Sequence, residues 1–150
     1  MYPDERVVRF VTEHFIPVRI HVREQADLWK RVGGEYGVQW TPTVLVIDSS
    51  GEERHRLEGF LPLDDFLAQL GLGRAKVAFA QGQFEEAEKL FRTVVDEHGN
   101  AESAPEAFYW AGVSRYKGTN DASALAETAR GFQQRYQDSS WAKKSSVWGG

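Results

Sequence analysis

"QWTPTVLVIDSSGEERHRLEGFLP", residues 39–62, sets an apolar run, Val44 to Ile47, against a turn, "DSSG" at 48–51, and a second stretch that ends at Gly59. An apolar run, a polar turn and a second extended run predict a β-hairpin. Just before the first strand stands Pro42, in the loop Trp40-Thr41-Pro42.

Upstream of the hairpin, "DERVVRFVTEHF" (4–15) spaces Val7, Val8, Val11 and Phe15 as one face of a helix, with Pro3 near its first turn. "IPVRIHV" (16–22) alternates instead, with Ile16, Val18, Ile20 and Val22 against Arg19 and His21, the period of a strand. A helix carrying Leu28, Trp29, Val32 and Tyr36 follows over 24–37, expected to fray or kink at Gly33 and Gly34. Downstream, "LPLDDFLAQL" (61–70) reads as a helix with Leu63, Phe66, Leu67 and Leu70 inward.

From Gly71 the strand signals stop. "GLG" (71–73) reads as a joint, and the remainder as helices over 74–81, 84–98 and 105–117, with two more marked by Leu125, Ala129, Phe132 and Tyr136 and by Trp141, Ser145 and Trp148. Ser103 and Glu106 have the spacing of a capping box at the entry to the third of these. Ala104, Trp110 and Gly112 recur 38 residues on as Ala142, Trp148 and Gly150, a period expected of stacked helical hairpins.

Composition bounds the function. The 150 residues are 41% hydrophobic and 27% charged, enough for one moderate core or two small ones, and the net charge of −4 comes with no basic face for nucleic acid. No apolar run can span a bilayer, and "MYPDERVV" lacks the order of a signal peptide, so the expected setting is cytoplasmic, with no membrane partner. There is no cysteine, which removes disulfides, thiolate nucleophiles and thiolate metal sites from these residues. His14, His21, His55 and His98 have no ligand spacing, so no metal and no cofactor is expected. The pairs Asp64–Asp65 and Glu85–Glu86 read as first-turn carboxylates that favour the helix dipole rather than as catalytic acids, so no catalytic residue is assigned.

With these residues in view, the stretch from "FIPVRIHV" to "FLAQL" resembles the thioredoxin family, its marks being "YGVQWTPT" and "SSGEERHRLEGF". The resemblance implies that Pro42 is preceded by a cis bond, that its loop lies where that family holds substrate backbone, and that Gly59 lies nearby. It implies redox chemistry for a complete member, whose first strand and C-x-x-C would precede "YPDERVV". The part from 74 on is similar to tetratricopeptide-type repeats, through "GQFEEAEKLF" and "NAESAPEAFYWAG", although Arg115 and "GTND" (118–121) depart from the usual pattern.

The expected fold is therefore α/β plus all-α: an incomplete thioredoxin-like domain over 1–70, a joint at 71–73, and tetratricopeptide-like hairpins over 74–150. In the first domain, strand 16–22 is expected to close directly on the hairpin as a three-stranded sheet. The expected function is a non-catalytic module that binds a protein or peptide through Trp40, Thr41, Pro42 and Gly59 and through a helical groove with Tyr109 and Arg115. The alternative is a truncated thiol–disulfide oxidoreductase. At each site a purely structural role stays open: Trp40 as filler of a gap, Tyr109 and Trp110 as core. Closure of the sheet within one chain favours a monomer, with a strand-edge dimer as the other outcome.

Overall fold

The computed structural model describes residues 4–149; Pro3 and Gly150, used above in the first helix and in the repeat, lie outside the described residues. The order is α1 (Glu5–His14), α2 (Ala26–Glu35), β1 (Thr43–Ile47), β2 (Glu53–Glu58), α3 (Leu63–Ala80), α4 (Phe84–Glu97), α5 (Ala104–Thr119), α6 (Ser123–Gln134), α7 (Ser140–Ser145) and a 3-10 turn, Ser146–Trp148. The chain divides into two compact units, one up to Leu63 and one from Asp64.

In the first unit, Asp4 caps α1 by accepting from the Arg6 N–H at 2.8 Å, and α2 continues through Gly33 and Gly34. β1 and β2 pair antiparallel, Thr43 opposite Glu58 and Leu45 opposite Arg56, with an irregularity between Val46 and Ile47. The expected third strand is not there: among the described residues the sheet has two strands, and residues 16–21 form no helix, turn or ladder. A strand exists only through its ladder partner, and alternation alone supplies none. Ile16 and Val18 consequently stay 94% and 80% exposed.

Asp48 organises the hairpin turn. Its Oδ1 accepts from the Ser50 N–H (2.9 Å), the Ser50 hydroxyl (2.5 Å) and the Glu52 N–H (3.1 Å), and its Oδ2 from Arg54 Nε (2.7 Å). The side chain is 3% exposed. The Ser50 hydroxyl first, then the Arg54 guanidinium, hold the carboxyl well below the usual carboxylate range. The folded carboxyl thus binds a proton less readily than the unfolded one, so its stabilisation is complete above the unfolded pKa of about 4 and is lost progressively as pH falls toward the folded value. Denaturation of the wild type and Asp48→Asn from neutral to acid pH checks this: the gap between them should narrow once pH drops below about 4. A gap independent of pH would contradict the assignment.

The second unit is helical throughout. α3 runs unbroken across 71–73, so the expected joint is corrected to continuous helix. Each glycine costs a helix about 1 kcal/mol, but Leu70 and Leu72 are 3% and 0% exposed and their burial offsets that cost. The glycines serve approach rather than bending: a Cβ on Gly71 would stand 2.9 Å from Val94 Cγ2 on α4. The core between α3, α4 and α5 gathers Leu72, Phe91, Val94 and Val95 with a set of alanines, among them Ala68, Ala75, Ala87 and Ala107. Small residues on facing helices let the backbones come close, which is why so few large side chains fill this core.

The capping box at Ser103 does not form either. Ser103 already has helical backbone (φ −84°, ψ −6°), its buried hydroxyl finds no partner among the described residues, and Glu106 is engaged by Lys76 at 2.8 Å. The loop into α5 is held from α3 instead, where Asp65 Oδ1 accepts from the Glu102 N–H at 2.9 Å and Asp64 Oδ1 stands 3.2 Å from His98 Nδ1.

Candidate functional site

Two places carry the residues that the sequence singles out, one in each unit. In the first, the loop after α2 is pinned to β2 by Arg56, whose guanidinium donates to the carbonyls of Tyr36 and Gly37 while pairing with Glu53 at 2.6 Å. The Glu53 carboxylate keeps the guanidinium charged, raising its pKa, and is itself held below its ordinary value. The Tyr36 hydroxyl donates to the Gly51 carbonyl at 2.9 Å. The chain thus reaches residue 39 with its course fixed against the hairpin turn and the middle of β2.

The Thr41–Pro42 peptide bond is cis. The Pro42 carbonyl accepts from the Gly59 N–H at 2.8 Å, and Gly59 holds φ +84°, a left-handed value that any other residue adopts with strain. This joins Pro42 and Gly59 as one rung at the open end of the hairpin. Trp40 on one side and Phe60 on the other are 64% and 71% exposed, and Thr41 is exposed as well. Most of the Trp40 surface therefore stands in water rather than packed into a gap among the described residues. Its carbonyl, however, accepts from the Thr43 hydroxyl at 2.5 Å, so part of the loop backbone is already engaged.

In the second unit, Tyr109 stacks on Trp148 at 4.7 Å between ring centroids with 27° between planes, and lies edge-on to Trp110 (5.4 Å) and beside Trp141 (5.0 Å). Trp110 meets Phe79 edge-on at 5.4 Å, and its buried Nε1–H has no acceptor among the described residues. A groove of about 550 Å³ opens along Tyr109, Trp110 and Trp148, lined also by Phe84, Tyr116 and Lys117. Burial raises the Tyr109 hydroxyl pKa, so the ring enters as a neutral phenol. Lys117 stands 5.5 Å over the Phe84 ring, an arrangement that attracts its charge to the ring face. Tyr109 belongs to this groove, whereas Arg115 does not line it and instead pairs with Glu127 at 3.3 Å, exposed on both sides.

Sequence reasoning missed Trp148, Phe84 and Lys117 as neighbours of Tyr109. The 38-residue recurrence that links Trp110 with Trp148 was the signal in the sequence that related the two rings. Among the described residues no group of three or more His, Cys, Asp or Glu could hold a metal ion, and no helix is long and apolar enough to cross a membrane.

No curated protein and no solved structure matches the chain. A family model does: residues 1–74 match that of a thioredoxin-like domain, which takes in the cis-proline loop, the hairpin and most of α3, so the first half of the chain carries a thioredoxin-like domain.

Proposed function

We propose that this chain is a non-catalytic protein-interaction module that binds an extended segment of a partner at the Trp40-Thr41-Pro42 loop beside Gly59, with the aromatic groove around Tyr109 as a second contact. The observation that carries this reading is the exposure of Trp40 and Phe60 at one fixed end of the hairpin. A large rigid ring left in water on an anchored loop suits a binding anchor, since such aromatics dominate interface energies at low entropic cost. The helical unit fits a tetratricopeptide-type scaffold through its paired helices and the tight turns at Gly82 and Asn120, both with positive φ.

Selection of displayed unstructured peptides on the full chain tests the proposal. Binders should be recovered, and Trp40→Ala should weaken them at least about tenfold, the order expected for an interface aromatic. Recovery of none, or of binders indifferent to Trp40→Ala and Tyr109→Ala alike, would overturn it.

The thioredoxin-like match favours a second reading, in which these residues belong to a thiol–disulfide oxidoreductase whose C-x-x-C lies outside them. Thiol exchange needs a thiolate, and the 150 residues contain none. The chain should therefore leave insulin reduction by dithiothreitol at its uncatalysed rate. Acceleration would defeat the non-catalytic reading.

A further inference from the structure

The first unit contains two halves of a β-pair, each without a partner among the described residues. One is the free edge of β1. Because the Gly59 N–H bonds to the Pro42 carbonyl, the antiparallel ladder turns the polar groups of Pro42, Val44 and Val46 toward β2. Thr43 and Leu45 then direct their N–H and C=O groups away from β2, where no strand lies among the described residues. The edge "TVLVI" carries no charge, no proline and no lysine, the devices that natural edge strands use against pairing.

The other half is the segment 16–20. Its backbone makes no hydrogen bond among the described residues; the bonds on either side end with the Phe15 N–H and resume with His21. Ile16, Val18 and Ile20 alternate with Pro17 and Arg19, and the polar groups of a strand alternate between its edges in the same period. Pro17 removes a donor from the edge that bears residues 17 and 19. The edge of Ile16, Val18 and Ile20 keeps every donor and acceptor, and Ile16 and Val18 are among the most exposed apolar side chains described.

We propose that a second copy of this chain joins the two: residues 16–20 of each copy add as a strand to the β1 edge of the other, through Ile16, Val18 and Ile20 against Thr43 and Leu45. The exchange is mutual, so the contact is isologous and closes at two chains. The expectation of a monomer rested on closure within one chain, which the two-stranded sheet does not make. A second copy is the favoured occupant because each copy holds both an unpaired strand-like segment and an unpaired strand edge. The apolar exposure agrees: of the large apolar side chains left exposed among the described residues, only Val147 lies beyond the first unit.

Sedimentation of the full chain from low to high micromolar concentration tests the proposal. The wild type should approach twice the monomer mass as concentration rises. Val18→Pro, which keeps an extended backbone but deletes the central donor of the pairing edge, should return it to the monomer mass with helical circular dichroism unchanged. Val18→Asp, at a site already in water, supplies the same loss should the proline variant fold poorly, and Val147→Asp should leave the dimer intact. A wild type that stays monomeric throughout, or a dimer that survives both Val18 variants, overturns the proposal.

Discussion

Phe91→Ala is expected to destabilise the helical unit by about 3–5 kcal/mol, the usual range for losing a buried aromatic. Phe91 is 1% exposed at the centre of the α3–α4–α5 core, and several of its neighbours in that cluster are alanines: Ala68, Ala75, Ala87 and Ala107. An alanine wall has no rotamer with which to move into the gap, so the cavity stays open and its full cost adds to the lost burial. Since a domain has only about 5–15 kcal/mol to lose, the unfolding midpoint in denaturant should fall by a large fraction. Phe91→Leu, which keeps most of the volume, should cost less than half as much. Equal losses for the two variants in chemical denaturation followed by circular dichroism would show that the core relaxes freely around position 91.

What the sequence disclosed follows from how local each signal is. The hairpin over 39–62 was legible because a turn with its own hydrogen-bonding side chain, Asp48, and a left-handed Gly51 lie within a dozen residues of both strands. The amphipathic helices were legible for the same reason, each with its apolar face repeated along a single element. Strand 16–22 was misread because period-2 alternation records a preference for pairing, whereas pairing itself depends on an edge elsewhere. The joint at 71–73 was misread because glycine reads as a breaker in isolation, and only the neighbouring α4 reveals that Gly71 makes room for Val94. Of the site, Trp40, Pro42 and Gly59 were legible as a local motif. The groove was not, since Tyr109, Trp148, Phe84 and Lys117 come from separate elements and meet only through packing.

Gly112→Ala is expected to destabilise the protein although alanine is the better helix former. On propensity alone the change in mid-α5 would gain about 1 kcal/mol. The structure reverses that sign: a Cβ at position 112 would stand 2.0 Å from Thr128 Oγ1 and 2.8 Å from both Thr128 Cβ and Cγ2. Thr128 cannot swing aside, being 7% exposed, β-branched and tied by its hydroxyl to the Ala124 carbonyl at 2.8 Å. The backbones of α5 and α6 must therefore part, and overpacking of this kind costs about 1–3 kcal/mol or more. Thr128→Ala removes Oγ1 and Cγ2 but leaves the Cβ at 2.8 Å, so it should rescue Gly112→Ala only in part. Thr128→Gly removes the remaining contact, and Gly112→Ala made in that background should cost less than it does alone, a coupling that a double-mutant cycle reads directly. Additive losses would mean that α5 and α6 are not held at this separation.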